Sequence, residues 1–264
     1  MSRPLLTVIA GPNGSGKSTL IDYLRKSNID FGEYINADEI AKSLKLVGDT
    51  GSREAQKIAD EKREDCLGRG VDFSFETVMS HVSKVDFRRR AKMLGYEVLL
   101  YFIATGDPEL NVERVRARVK AGGHPVPEER IVSRYWRTLE LLPSAIIASD
   151  RAFIFDNSAP ALARENKSLR VVIEFNHVFF EKLDGQELNT KFDVWTLNFC
   201  RPVPAWTIEA MKFTSIGFEL ELSPIKTSDL WLWKRSKLAQ DVDVISASTI
   251  KSLLATAFGS QKAN

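Results

Sequence analysis

The segment Gly11-Pro12-Asn13-Gly14-Ser15-Gly16-Lys17-Ser18 follows directly on the apolar run Leu5–Ala10, and few folds accommodate a buried strand that passes through this spacing into a helix. Its glycines let consecutive backbone N–H groups turn inward around a phosphate. Lys17 then reaches the outer phosphates, and the Ser18 hydroxyl is placed to meet Mg²⁺. The helix that begins near Lys17 aims its positive end at the same anion. The spacing therefore points to a bound nucleoside triphosphate, ATP in the simplest case. Its contacts would be Gly11, Pro12, Asn13, Gly14, Ser15, Gly16, Lys17, Ser18 and Thr19, with Ser18 on the metal side.

Further apolar runs at 34–37, 71–75, 97–104 and 152–155 alternate with helical patterns at 18–26, 38–46, 53–68, 81–94, 108–121 and 128–142. This alternation predicts an α/β fold with a parallel sheet flanked by helices. In such open sheets ligands collect at the carboxyl ends of the strands, which draws attention to Gly11–Ser18, Asp38, Glu76-Thr77, Thr105 and Asp156-Asn157-Ser158. The pattern assigns residues 1–180 to a core that includes a helical lid at about 108–142. Leu169–Phe180 reads as a sixth strand, extended into a hairpin or followed by a short helix. Residues 181–264 form a C-terminal appendage of unassigned fold; Trp195, Trp206, Trp231 and Trp233 fall there, and their apolar area favours packing on the core or on a partner.

The formal net charge of +2, from 37 Lys and Arg against 35 Asp and Glu, lacks the basic excess of a protein whose main task is coating nucleic acid. Cys66 and Cys200 make no disulfide framework or zinc spacing, and His81, His124 and His177 are scattered, so a reducing cytoplasm is expected and no metal cluster. No segment approaches the roughly 20 apolar residues of a membrane span. The Leu-Ser-Gly-Gly-Gln signature of a transporter ATPase is missing, and Asn166-Lys167-Ser168-Leu169 fails the Asn-Lys-x-Asp pattern of a GTPase at its last position.

Chemistry requires a proton acceptor and counter-charges around the triphosphate. Asp38, one crossover after the phosphate loop, closes the second strand run and has two readings: general base for an attacking hydroxyl, or N-cap of a helix beginning at Glu39. Glu76, followed by Thr77 after the third run, either orients a substrate hydroxyl or caps a loop. Two basic helices flank Gly122-Gly123-His124-Pro125-Val126-Pro127. Arg114 and Arg118 share a face of the first, Arg130, Arg134 and Arg137 a face of the second, so both can close on a triphosphate. His124 reads as a hinge hydrogen-bonding group. Asp156-Asn157-Ser158 either touches adenine or forms a turn, and Arg88-Arg89-Arg90 with Lys92 reads as a solvated helix face.

Together these pieces resemble the zeta toxin family of P-loop kinases, which includes bacterial UDP-N-acetylglucosamine kinases and predicted ABC-type ATPases. The resemblance runs through Gly11–Thr19, Asn36-Ala37-Asp38-Glu39-Ile40, Phe75-Glu76-Thr77, Arg118 before Gly122–Pro127, Arg134-Tyr135-Trp136-Arg137 and Phe155-Asp156-Asn157-Ser158. It implies a P-loop NTPase kinase-like core that uses ATP and Mg²⁺ to phosphorylate a hydroxyl of a small molecule, possible acceptors including UDP-N-acetylglucosamine. By the same resemblance Lys17 and Ser18 hold the triphosphate and metal, Asp38 is the catalytic base, and Glu76 and Thr77 contact the substrate. Arg118 and Arg134 clamp the phosphates, with Arg114 and Arg130 as alternatives of register. An antitoxin-like protein partner belongs to the same set of expectations. The long tail and the missing glycine after Thr77 depart from the family pattern. A polynucleotide or RNA kinase, and a nucleotide-dependent ATPase switch, remain as alternative functions.

Overall fold

The computed structural model describes residues 3–158 and, beyond them, the strand backbones at 170–183, 186–199, 223–224 and 230–234, together with Trp206. Strands β1 (Leu5–Ala10), β2 (Glu33–Ile35), β3 (Phe73–Thr77), β4 (Glu97–Ala104) and β5 (Arg151–Asp156) form a parallel sheet in the order β2-β3-β1-β4-β5. Helices α1 (Lys17–Lys26), α2 (Ala37–Ser43), α3 (Gly48–Arg69), α4 (Ser83–Met93), α5 (Pro108–Lys120) and α6 (Glu128–Ile147) connect and cover it. This is the expected α/β architecture with a phosphate loop between β1 and α1.

The sheet is packed on both faces, which is why β1 and β4 are almost continuously apolar. Side chains alternate across β1: Leu6, Val8 and Ala10 join the larger core, with Phe73, Phe75, Leu100, Phe102 and Ile154, whereas Ile9 meets Leu20, Ile21 and Leu24 of α1 on the other side. Helix α6 lays Tyr135, Leu139, Leu142, Ala145 and Ile146 on the larger core. It continues to Ile147 instead of stopping at 142. Pro143 lacks an N–H for a helical hydrogen bond, but its ring and the following Ala145 and Ile146 are buried, and that packing holds the last turn.

Two local expectations change. Strand β2 ends at Ile35 and α2 begins at Ala37, so Asp38 sits in the first turn of a helix and does not close a strand. The triple-arginine segment is not one solvated face: Arg89 and Arg90 are exposed, but Arg88 is completely buried. It lies three residues from Val85 and from Ala91, which are buried on the same side of α4.

Beyond β5 the sheet turns antiparallel. Strand β6 (Arg170–Leu183) pairs with β5, β7 (Gln186–Phe199) with β6, β9 (Leu230–Lys234) with β7 and β8 (Ser223–Pro224) with β9, giving nine strands in one sheet among the described residues. The β6–β7 pair is the hairpin form of the expected sixth strand, and residue 180 falls inside it. Of the tail tryptophans Trp206 is buried, in tilted contact with Phe102. Cys200 lies outside the described residues.

Candidate active site at the carboxyl ends of the parallel strands

The phosphate loop is gripped from outside by two asparagines distant in sequence. The Asn111 amide on α5 donates to the Asn13 carbonyl at 2.7 Å, and the Asn157 amide after β5 donates to the Ser15 carbonyl at 2.7 Å. Both neighbours press close: a Cβ on Gly14 (φ +75°) would sit 2.5 Å from the Asn111 carbonyl oxygen, and one on Gly16 (φ +101°) 2.3 Å from the Asn157 amide nitrogen. Glycine is therefore demanded at 14 and 16 by space as well as by dihedral angle. A buried relay supports Asn111, whose side-chain oxygen accepts from the Thr105 hydroxyl, while Tyr135 of α6 donates to the Thr105 carbonyl at 2.6 Å.

Lys17 lies buried at the floor of the site. Its Nζ donates to the carbonyls of Gly11 and Pro12, each at 2.9 Å, and stands 3.8 Å from Glu76 Oε1. Burial pulls its pKa down, the Glu76 carboxylate acting against that and Arg118 with it. Burial likewise pushes Glu76 up, against the pull of Lys17, and the Asp38 charge adds to the rise. Opposed charges shifted by burial and by each other within a cleft mark these residues as a candidate functional site.

Asn36 organises the other rim. Its side-chain oxygen accepts from the backbone N–H of Asp38 at 2.7 Å and of Glu39 at 3.2 Å, so Asn36 is the N-cap of α2. Its amide reaches the Tyr34 hydroxyl at 2.9 Å and Glu76 Oε2 at 3.5 Å. The capping alternative for Asp38 is thereby removed, and Asp38 is one of the residues that line the cleft. Thr77 also lines the cleft, its hydroxyl oxygen accepting from the Met79 N–H at 3.1 Å.

Arg114 and Arg118 of α5 and Arg130 and Arg134 of α6 all line the same cleft, whereas Arg137 is outside it and bonds Ser133. Arg118 donates to the His124 carbonyl at 3.1 Å across the turn between the helices, and Arg114 donates to the Asn157 carbonyl at 2.9 Å. Burial lowers the Arg134 pKa, and the like charges of Arg130 and Arg137 lower it further. The cleft measures about 1280 Å³ and extends past the loop to Gln56 and Arg63 of α3 and to Lys84 of α4. Arg63 is buried, paired with Asp60 and stacked over Phe75.

No group of three or more His, Cys, Asp or Glu that could hold a metal occurs among the described residues. The Ser18 hydroxyl, open to the cleft beside Lys17, suits an ion of the Mg²⁺ type, which takes few protein ligands and completes its shell with phosphate oxygens and water.

Sequence reasoning left Asn36, quoted only within the family motif, without a role of its own, and passed over Asn111 and Arg63. The first was legible, since Asn two residues before an acidic first turn is a capping pattern. The Asn111 contact spans 98 residues and has no local signal.

A sequence profile described as zeta toxin matches residues 1–159. An uncharacterized protein of Haemophilus influenzae is 33% identical over 131 residues, which cover 47% of this chain and 88% of that protein. Among solved structures, one of the PezAT chromosomal toxin-antitoxin system of Streptococcus pneumoniae aligns with a TM-score of 0.47 and 20% identity over 60% of this chain and 70% of that one. Shikimate kinase from Acinetobacter baumannii, in complex with shikimate, aligns with a TM-score of 0.39 and 15% identity, over 60% and 86% of the two chains.

Proposed function

Since the chain belongs to the zeta toxin family, we propose that it is an ATP-dependent kinase that transfers the γ-phosphoryl group to a hydroxyl of a small molecule, a nucleotide sugar such as UDP-N-acetylglucosamine being the first acceptor to test. The observation that carries this reading is the convergence of Lys17, Asp38, Glu76, Thr77, Arg118 and Arg134 on the cleft that opens over the phosphate loop. A cleft larger than the roughly 300–1,000 Å³ of ordinary small-molecule sites supports a donor and an acceptor held together.

In this reading Lys17 exchanges its two carbonyl contacts for phosphate oxygens, leaving the loop N–H groups to cradle the anion. Asp38 accepts the proton of the acceptor hydroxyl as its oxygen attacks phosphorus in line and the bond to the ADP oxygen breaks. Glu76 and Thr77 hold the acceptor, and Arg118 and Arg134 meet the charge spread over the transferring group. Ser18 would hold an Mg²⁺ ion, whose chemistry there would be further neutralisation of the phosphate charge. Family membership further supports an antitoxin-like protein partner as part of the proposal.

The test is ATP consumption with Mg²⁺ by wild type and Asp38→Asn, with and without UDP-N-acetylglucosamine, the sugar nucleotide being followed by mass spectrometry. A phosphate-mass gain that falls by about 10²-fold or more in the variant, with ATP affinity kept, is the expected result. ATP turnover without that gain shifts the acceptor to other hydroxyls, oligonucleotides next. Absence of turnover refutes the kinase reading.

A further inference from the structure

Trp206 lies outside the stretch matched by the family profile, yet it reaches the carboxyl end of β5. Its indole is buried against Phe102, with ring centroids 6.4 Å apart, and rests over Gly106, where an added Cβ would come within 3.3 Å of Trp206 Cδ1. The indole N–H donates to Asp156 Oδ1 at 2.9 Å. That oxygen also accepts from the Ser158 hydroxyl and, at 3.3 Å, from the Ser158 N–H; the Ser158 hydroxyl oxygen in turn accepts from the Gly106 N–H at 2.8 Å. Trp206, Asp156, Ser158 and Gly106 thus tie the end of β5 to the end of β4.

Asn157 is the residue held inside this knot. Its N–H donates to the Ala104 carbonyl at 2.8 Å, its amide to Ser15 of the phosphate loop, and its carbonyl accepts from Arg114. Both Asn157 and Arg114 face the cleft. We propose that Trp206 is a positioning residue for the nucleotide, acting through Asp156 and Asn157 on the outer wall of the phosphate loop, so that the C-terminal extension completes the nucleotide side of the site. The inference rests on the reading of that cleft as an ATP site. The strand order separates this wall from the proton acceptor: β5 and β2 lie at opposite edges of the parallel sheet with β1 and its loop between them, and Asp38 follows β2. Loosening the β5 end therefore acts on nucleotide binding and leaves proton removal at Asp38 untouched.

The experiment titrates ATP into the full-length chain by calorimetry and measures ATP turnover at varied ATP concentration, for wild type and Trp206→Phe. Phenylalanine keeps ring packing and deletes the donor to a carboxylate, a loss expected to raise the Kd and the KM for ATP about tenfold. The kcat should stay within about twofold of wild type, because no interaction confined to the transition state is removed. Ser158→Ala, which removes the second tie to Asp156, should shift both constants in the same direction and decides the matter if Trp206→Phe does not fold. Unchanged Kd and KM in a folded variant, or a fall in kcat with KM unchanged, overturns the proposal while the ATP reading stands. Failure of the wild type to bind ATP overturns both, and is seen before any variant is compared.

Discussion

Replacing Arg88 by methionine should stabilise the protein. The guanidinium is completely buried; among the described residues Nη2 meets only the Met79 sulfur at 3.0 Å, and Nε and Nη1 have no hydrogen-bond partner. Burial, with a smaller contribution from Arg89, pushes its pKa from 12.5 down to about 9, so at pH 7 the group stays charged and the folded state bears the desolvation cost. The interval from 12.5 to about 9, at about 1.36 kcal/mol per pH unit, amounts to about 5 kcal/mol. Methionine fills much of the same volume without a charge. Some packing around the guanidinium is lost, so a net gain of about 1–4 kcal/mol is expected, the range found when buried ionic groups give way to apolar ones. Each kcal/mol should raise Tm by about 2–4 °C in a chain of this size. The assay is urea and thermal denaturation at pH 7. Arg89→Met is the control, because Arg89 is exposed and paired with Asp86, and it should change stability by less than about 0.5 kcal/mol. A less stable Arg88→Met would refute the reasoning, since it would mean that the folded protein supplies the guanidinium with an anionic partner.

Two further outcomes follow from the rim of the cleft. Asn36→Ala should cost about 1 kcal/mol by uncapping α2, and should also slow turnover by misplacing Asp38, whereas Asn36→Ser should keep most of both; equal turnover in the two variants would show that the cap does not place Asp38. Burial raises the Glu76 carboxyl above its ordinary 4.5, so the folded state binds more protons than the unfolded one between 4.5 and the raised value. Stability from this group is present below 4.5 and lost as pH rises through the folded pKa. Glu76→Gln lacks that loss. The stability of wild type relative to the variant should therefore decline as pH increases over this window, and a difference that stays flat in denaturant melts across it would contradict the burial of a titrating carboxyl.

Much of the architecture was written in local spacing. Leu5–Ala10 and Glu97–Ala104 are strands over the residues their apolar runs mark, and Gly11–Ser18 is a phosphate-type loop because its glycines and the strand before it leave few other conformations. The burial of Arg88 was also legible, three residues from two apolar neighbours, but the two arginines that follow it masked it. Asp38 was misplaced because the strand–helix boundary turns on the side-chain oxygen of Asn36, a difference of two residues that apolar periodicity does not resolve.

The chain by itself determined where the phosphate loop stands, which residue types line it, and the alternation that makes a parallel sheet. Tertiary structure alone decided what surrounds the loop: Asn111 and Asn157 gripping it from 98 and 142 residues away, Arg63 at the far end of the cleft, and Trp206 bracing β5 from the tail. The division has one physical cause. Helices, strands and loop dihedral angles arise from contacts among residues a few positions apart, whose spacing the sequence displays, whereas these partners meet only when side chains from several elements pack around the ends of one sheet.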